Sequence, residues 1–326
     1  MSLENSIFTI SSQKDFVKVT LKVFRHQYAN NNVYRTFCDH LNKTPDNVKT
    51  LDKIPFLPIQ FFKSHTILSS KEEAKATFTS SGTTGQSTSK HFVTDLSIYE
   101  RSYNQAFRLF YGDINNYNVL ALLPSYLERE GSSLIYMVND LIEQSNNPNS
   151  GFYLNNLDAL LLKLKALEKN GEQTLLIGVT YALLDLLEKE KIQLNNTIIM
   201  ETGGMKGRRK EMIREELHQI LTNGFGVQNI HSEYGMTELL SQAYSLGNGI
   251  FECPPWMQIL IRDPEDALSY KKNGNTGGIN VIDLANINSC SFIATQDLGK
   301  KYDNQSFEVL GRFDHSDIRG CNLMVY

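Results

Sequence analysis

Between residues 75 and 231, short apolar segments alternate with longer segments in which apolar residues recur at helical spacing. Some of the short segments, such as NVLALL at 118–123, read as buried strands. Strands and helices that take turns in this way are typical of a mostly parallel sheet with covering helices. We therefore predict an α/β fold. The predicted strands are 75–79, 118–123, 174–178, 197–200 and 227–231, and the predicted helices are 96–110, 132–143, 157–168, 181–189 and 210–221.

The two ends of the chain differ from this centre. Ser12 precedes a segment in which Phe16, Val19 and Val23 recur at helical spacing, which predicts a capped helix. A second helix is predicted at 31–41, and two prolines hold 54–63 extended. Near the C-terminus, strands separated by Gly, Asn and Asp turns are predicted at 257–261, 278–283, 291–295 and 307–310. We expect a helical lead-in at 1–70 packed on the core, an α/β core at 71–255 and a β-rich subdomain at 256–326.

Composition restricts the class of protein. Of the 326 residues, 41% are hydrophobic and 21% are charged, which is ordinary for a folded domain and excludes a disordered tail. The formal net charge of −4 argues against a broad basic surface for nucleic acid. We expect no membrane span and no secretory signal, because neither pattern occurs in the sequence. The four cysteines are widely spaced, which disfavours a disulfide framework or a zinc ribbon and predicts a cytoplasmic protein with reduced thiols.

The strongest local signal is the segment TSSGTTGQSTSK at 79–90. Its two glycines allow tight turns that point backbone N–H groups at an anion, its hydroxyl groups can donate to phosphate oxygens, and its lysine adds a positive charge. The segment is not a Walker A loop, because Gln86 follows the second glycine. By composition alone, a Ser/Thr-rich surface turn is the commoner outcome. The candidate phosphate-binding residues are Ser80, Ser81, Gly82, Thr83, Thr84, Gly85 and Lys90.

Together with four later segments, this loop resembles the signature of the adenylate-forming superfamily, which contains acyl- and aryl-CoA synthetases, peptide-synthetase adenylation domains and luciferases. The later segments are YGMTE at 234–238, GGINVIDL at 277–284, TQDLG at 295–299, and GRFD at 311–314 followed by DIRG at 317–320. The third of them has Gln296 where the superfamily has glycine.

Within that superfamily, the chain resembles the acyl-protein synthetases of the bacterial bioluminescence fatty-acid reductase system, which are related to phenylacetate–CoA ligases. This closer resemblance rests on three features. They are the short length, the IPFLPI lead-in at 54–59 and the LPSYLER segment at 123–129.

The resemblance implies a fold and a chemistry. The fold would be the large N-terminal domain of the superfamily, with layered α/β sheets and a β-rich subdomain. The reaction would be the activation of a carboxylic acid by ATP, which gives an acyl-adenylate and pyrophosphate and requires Mg²⁺ to neutralise charge on the phosphates. Glu238 would bind the metal ion, Thr237 would contact the α-phosphate or the acyl oxygen, and Tyr234 would stack on adenine.

Other positions matched to the superfamily would hold the nucleotide. Asp297 would accept hydrogen bonds from both ribose hydroxyl groups, and Arg312 would pair with ribose or phosphate. Gly203 and Gly204 would let their loop approach adenine, and Lys206 would place a positive charge near a helix N-terminus. The alternative for the aspartate and the arginine is a surface turn with a solvated side chain.

The C-terminal end departs from the superfamily. Typical members carry a further lid domain with a catalytic lysine after the hinge segment, whereas residues 315–326 are all that follow Asp314 in this sequence. We therefore expect the lid to be essentially absent. Its cation would come from Lys206 or from a partner, or the adenylation step would be slow. Acyl-protein synthetases pass the acyl group to their own cysteine near the C-terminus, and Cys321 lies where that thiol is expected. The alternative for this cysteine is a small buried hydrophobic residue.

These observations favour a ligase that activates a carboxylic acid with ATP and Mg²⁺ and then transfers the acyl group, either through Cys321 to a partner protein or to a small acceptor. An acyl- or aryl-CoA ligase, in which CoA takes the acyl group, is an alternative. A non-catalytic module that binds a nucleotide or an acyl-adenylate is another. The acid itself is left open, because fatty, aryl and amino acids are all compatible with the sequence.

Overall fold

A computed structural model describes residues 2–80, 88–124, 131–154, 156–203, 209 and 212–313. The chain divides into two compact units, Lys71–Pro254 and the combination of Met1–Ser70 with Pro255–Tyr326. None of the described helices combines the length and the apolar character that crossing a bilayer requires.

Helices and strands alternate along most of the described chain. The helices are α1 (Leu3–Ile7), α2 (Gln13–Asn30), α3 (Asn32–His40), α4 (Phe61–Ser64), α5 (Leu96–Tyr111), α6 (Ser133–Ser145), α7 (Leu157–Lys169), α8 (Thr180–Lys189) and α9 (Arg214–Phe225). The strands are β1 (Leu57–Pro58), β2 (Ala76–Thr79), β3 (Lys90–Val93), β4 (Asn118–Leu122), β5 (Gly151–Phe152), β6 (Thr174–Val179), β7 (Thr197–Thr202), β8 (His231–Tyr234), β9 (Ala243–Ser245), β10 (Ile250–Glu252), β11 (Met257–Arg262), β12 (Thr276–Asp283), β13 (Phe292–Lys301) and β14 (Phe307–Arg312).

The unit of residues 71–254 contains the predicted parallel sheet. Its strands lie in the order β5-β4-β6-β7-β8-β9-β10, and the first five are parallel while the last two run antiparallel to their neighbours. Every residue of β4 and β6 is buried, as expected for strands that helices cover. The short strands β2 and β3 form a separate antiparallel hairpin. The predicted α/β fold is therefore confirmed.

Two elements of this unit begin later in the chain than the sequence predicts. The helix predicted at 210–221 begins at Arg214 and continues to Phe225, where Gly226 ends it in the left-handed conformation. The strand predicted at 227–231 is β8, which begins only at His231. Its position follows from pairing with β7, because Met200 lies opposite His231 and Thr202 lies opposite Glu233. His231 thus begins the strand that it was expected to end.

The other unit joins the N-terminal helices to the β-rich end of the chain. Ser12 caps α2 as predicted, since its Oγ accepts a 3.1 Å hydrogen bond from the backbone N–H of Asp15. The strands β11, β12, β13 and β14 form an antiparallel meander, and β1 pairs in parallel with β13. The buried amide of Gln27 on α2 donates to the carbonyl oxygens of Asn286 and Ile287 at 2.9 and 3.0 Å. Residues of the helical lead-in therefore share one core with the β-rich segment.

Candidate functional site

The predicted phosphate loop connects the two strands of the β2–β3 hairpin. Thr79 lies opposite Lys90, whose side chain is exposed. Just inside this pair, the backbone N–H of Ser80 donates to the carbonyl of Ser89 at 3.1 Å, and the backbone N–H of Ser89 donates to the Oγ of Ser80 at 2.9 Å. These bonds bring the two ends of the 81–87 segment together. The candidate residues Ser81, Gly82, Thr83, Thr84 and Gly85 lie outside the described residues.

The YGMTE segment begins at the end of β8. Tyr234 is the last residue of that strand, and its buried ring contacts the ring of Phe251 edge-on, with the centroids 6.0 Å apart. Thr237 is half-buried and Glu238 is 5% exposed. The segment therefore lies where a parallel strand ends, at the edge of the sheet that commonly binds ligands in α/β proteins.

A single imidazole links the hairpin to this segment. His91 on β3 is buried, and its Nδ1 lies 3.0 Å from the carbonyl oxygen of Thr237. Because a carbonyl only accepts, Nδ1 carries the hydrogen and donates it. Burial lowers the pKa of His91 to about 4, so the ring is neutral at neutral pH. The bond therefore brings the candidate Lys90, which precedes His91 in the chain, close to the candidate Thr237. Sequence analysis did not identify His91.

The predicted adenine loop begins at the end of β7. Gly203 has a φ of +68°, which favours glycine, and its carbonyl accepts a 3.1 Å hydrogen bond from the hydroxyl of Thr180. Gly204 and Lys206 lie outside the described residues. Arg209 is ion-paired with Asp185 and with Glu188 on α8, the latter at 2.7 Å. Its charge is therefore compensated within the protein.

A buried charge network lies beside this loop. The carboxyl group of Glu201 accepts hydrogen bonds from Arg214 Nη1 at 3.0 Å and Ser232 Oγ at 2.7 Å, and His218 Nε2 lies 3.5 Å away. Burial alone would raise the pKa of Glu201, but the bond with His218, the Arg214 charge and the Ser232 hydroxyl together lower it. Glu201 is thus an ionised, compensated group that holds β7, β8 and α9 together.

The other unit contains the predicted ribose-binding residues. Asp297 on β13 and Arg312 on β14 are cross-strand partners, and Arg312 Nε donates to Asp297 Oδ1 at 3.1 Å. Asp297 is 6% exposed, whereas the side chain of Arg312 is 79% exposed. The structure brings these two candidates together. Gln296, which replaces the glycine of the superfamily, lies within β13 at a shift in the register between β12 and β13, and its carbonyl accepts a 2.8 Å hydrogen bond from the backbone N–H of Phe313.

The packing explains why the second glycine of the GGINVIDL segment, Gly278, is needed, which the sequence did not reveal. Arg262 on β11 donates from Nη1 to the carbonyl of Ile279 at 2.8 Å and from Nη2 to the carbonyl of Thr295 at 2.5 Å. A Cβ on Gly278 would overlap the guanidinium group of Arg262. Glycine is therefore required at position 278, where the side chain of Arg262 crosses β12. The two hydrogen bonds of Arg262 join β11 to β12 and to β13, and the bond to β13 is made at Thr295, two residues before Asp297.

The described residues offer Mg²⁺ one suitable oxygen ligand in the YGMTE segment, the carboxyl group of Glu238. They contain no group of three or more His, Cys, Asp or Glu side chains that could hold a metal ion by themselves. This donor set fits Mg²⁺, which commonly binds to one or two carboxylates together with substrate phosphates and water.

Comparison with known sequences and structures identifies the relatives of the chain. Residues 6–107 match the family model described as "Acyl-protein synthetase, LuxE". The long-chain-fatty-acid–luciferin-component ligases of Vibrio harveyi and Aliivibrio fischeri are 25% and 24% identical to the chain, over 97% and 94% of its length. The chain covers 89% and 86% of those two proteins.

The structural comparison identifies solved structures with a similar fold. An open conformation of 2-hydroxyisobutyryl-CoA ligase, in complex with 2-HIB-AMP and CoA, has a TM-score of 0.66 at 11% identity, over 94% of this chain and 77% of the ligase. ATP-bound MatB from Rhodopseudomonas palustris has a TM-score of 0.56 at 17% identity over 73% of this chain, which spans about half (48%) of MatB. The chain is thus similar in sequence to acyl-protein synthetases and similar in fold to adenylate-forming ligases.

Proposed function

We propose that this protein is a ligase that activates a carboxylic acid with ATP to an acyl-adenylate and then transfers the acyl group. The observation that carries the proposal is the bond between His91 and Thr237. It holds strand β3, which follows the predicted phosphate loop, against the YGMTE segment, and this supports a shared site for the two signatures of the superfamily. The relationship to ligases of fatty acids supports the same reaction.

Different residues would act in the first step, which forms the acyl-adenylate. The carboxylate oxygen of the acid attacks the α-phosphorus of ATP, the bond from that phosphorus to the bridging oxygen breaks, and pyrophosphate leaves. Residues 80–90 would bind the phosphates, Thr237 would contact the α-phosphate or the acyl oxygen, and Glu238 would hold Mg²⁺. Mg²⁺ would neutralise charge on the phosphates. Tyr234, Gly203 and Gly204 would contact adenine, and Asp297 with Arg312 would bind ribose.

Acyl transfer requires a nucleophile. A thiolate of Cys321 would attack the carbonyl carbon of the acyl-adenylate, forming a carbon–sulfur bond while AMP leaves with the electrons of the broken carbon–oxygen bond. A partner protein would then receive the acyl group, and Lys206 would supply a positive charge at the adenylate. We further propose a cytoplasmic location, which suits an ATP-dependent enzyme with a thiol nucleophile. Cys38 and Cys290 are buried free thiols, in keeping with that proposal.

Pyrophosphate exchange tests the first step. We expect incorporation of labelled pyrophosphate into ATP that depends on a carboxylic acid, with fatty, aryl and amino acids presented in turn. Glu238→Gln should lower the exchange strongly, while Glu252→Gln, which changes an exposed carboxyl group on β10, should leave it unchanged. Binding of ATP without exchange for any acid would instead indicate a non-catalytic nucleotide-binding module.

Intact-mass measurement tests the second step. With an acid that supports exchange, we expect an increase in protein mass equal to one acyl group, which disappears in Cys321→Ala and remains in Cys253→Ala. Unchanged labelling of Cys321→Ala would exclude the acceptor role of that cysteine. Formation of a CoA thioester in solution, with no labelled protein, would identify an acyl- or aryl-CoA ligase.

A further inference from the structure

Glu233 is an acidic residue next to the YGMTE segment that has no role in the steps above. Its Oε2 accepts a 2.5 Å hydrogen bond from the hydroxyl group of Thr202 on β7. Its Oε1 lies where a Cβ on residue 235 would be, so that Gly235 alone leaves room for it. The side chain is therefore directed along β8 toward the YGMTE segment, not away from it.

The carboxyl group lacks a full set of partners. Within the ranges that the structure describes, Thr202 provides the one hydrogen bond to Glu233, and it occupies Oε2. Tyr244 lies opposite on β9, and burial lowers the pKa of His231 to about 4 so that its ring is neutral. Burial raises the pKa of Glu233 to about 7, and the negative charge of Glu201 adds to this rise. Glu233 is half-buried, and a partly desolvated carboxyl group with one hydrogen-bond donor is characteristic of groups that contact a ligand.

The face of β8 that carries Glu233 remains accessible. Ser232 and Tyr234 are buried, whereas His231, Glu233 and Gly235 are half-buried. Alternate residues of a strand share one face, so these three form a row. The row ends beside Thr237, which is also half-buried, and Thr202 and Glu233 both lie at the carboxyl ends of parallel strands. A substrate in contact with Thr237 would therefore pass directly over the carboxyl group of Glu233.

We propose that Glu233 determines the specificity of the ligase by accepting, at Oε1, a hydrogen bond from a hydroxyl or amino group on the acid substrate. The inference rests on the proposed function. Gly235 and Thr237 are two residues apart, at most about 7 Å of extended chain. The donor group is therefore on one of the carbon atoms nearest the carboxyl group. The preferred substrate is a hydroxy- or amino-substituted carboxylic acid, and an unsubstituted acid leaves Oε1 desolvated and unpaired.

Matched acids measure this preference. One set is propanoic acid, lactic acid and alanine, and the other is butanoic acid, β-hydroxybutanoic acid and β-aminobutanoic acid. We expect the catalytic efficiency of pyrophosphate exchange to be at least about tenfold higher for a substituted acid than for its unsubstituted counterpart. The hydroxy and amino members of each set distinguish the two kinds of donor.

Two variants assign the preference to this side chain. Glu233→Leu should reduce it to less than about twofold by removing both acceptor oxygens. Glu233→Gln keeps one acceptor oxygen without a negative charge, so it should retain part of a preference for a hydroxyl group and lose one for an ammonium group. Glu252→Gln serves as the matched control and should keep the wild-type ratio.

A binding measurement separates this inference from the proposed function. Calorimetry with acyl-sulfamoyl adenosines bearing the same six acyl groups should show the same order of affinity without requiring catalysis. Binding with the expected order but without exchange would contradict the proposed function and support the role of Glu233. Equal affinity for substituted and unsubstituted analogues, an unaltered order in Glu233→Leu, or failure of every analogue to bind would overturn the inference.

Discussion

His91 and Thr237 are joined by a 3.0 Å hydrogen bond from imidazole Nδ1 to a backbone carbonyl, across 146 residues of sequence. His91 follows Lys90, the last residue of the predicted phosphate loop, and Thr237 precedes Glu238, the predicted metal ligand. The bond uses a side chain on one partner and the main chain on the other. It therefore holds the loop hairpin against the YGMTE segment without constraining the side chain of Thr237, which stays available to a substrate.

Substitution of His91 should weaken both stability and the response to ATP. His91→Leu removes this donor from the carbonyl of the half-buried Thr237, which costs about 1 kcal/mol of unfolding free energy. His91→Asn places an amide N–H near the position of Nδ1, whereas His91→Gln places it near Nε2. We therefore expect Asn to restore the KM for ATP better than Gln or Leu. Chemical denaturation and exchange kinetics measure the two effects, and equal KM values for all three variants would contradict a positioning role.

The long-range contacts explain what could be predicted from the sequence and what could not. The helix capped by Ser12 and the buried strand β4 were predictable, because capping and burial patterns lie within one segment. Strand β3 was not predicted, although His91, Phe92 and Val93 are a run of β-type residues, because its partner β2 is reached only after the loop closes. Strand β8 was placed too early, since its start depends on the register with β7.

The same limit applies to the candidate site. The motifs identified Tyr234, Thr237 and Asp297, but they gave no sign of the residues that hold those positions. Arg262 lies 35 residues before Asp297 in sequence, and only the sheet brings its guanidinium group to Thr295. Glycine at position 278 was recognised as part of a motif, while the arginine that requires it became evident from the packing.

Gly278→Ala tests that packing. The added methyl group would overlap the guanidinium group of Arg262, and we expect a loss of about 1–3 kcal/mol of unfolding free energy. Gly151→Ala is the matched control, because a Cβ on that glycine of β5 meets no atom within 4 Å. In a double-mutant cycle with Arg262→Ala, the two losses should be smaller together than their sum. Strict additivity would show that the guanidinium group is not what requires the glycine.

Substitutions of Arg312 and Asp297 should have different effects on stability and on the KM for ATP, although the two side chains are ion-paired. Because the side chain of Arg312 is largely exposed, Arg312→Ala should change the unfolding free energy by less than about 1 kcal/mol. Asp297→Ala removes the carboxyl group proposed to bind ribose, so it should raise the KM for ATP by about tenfold or more. Lys165→Ala, which breaks the exposed pair with Glu190, is the control for a pair remote from the motifs. An unchanged KM in Asp297→Ala would exclude the ribose contact.

Glu233 should make the protein less stable as the pH rises from about 4.5 to about 7. Its pKa in the folded protein is raised from 4.5 to about 7, so the folded state binds the proton more tightly than the unfolded state does. The stabilisation that this provides is complete below pH 4.5 and is lost as the pH rises through 7. A shift of this size corresponds to at most about 3 kcal/mol, and less where water reaches the carboxyl group.

Comparison with Glu233→Gln isolates this contribution. His231 acts in the opposite direction, because its lowered pKa makes the protein less stable as the pH falls from 6.5 toward 4, and it is present in both proteins. The difference in unfolding free energy between wild type and Glu233→Gln should therefore fall steadily between pH 4.5 and 7 and stay constant above about 8. A difference that does not vary with pH would mean that folding does not raise the pKa of Glu233.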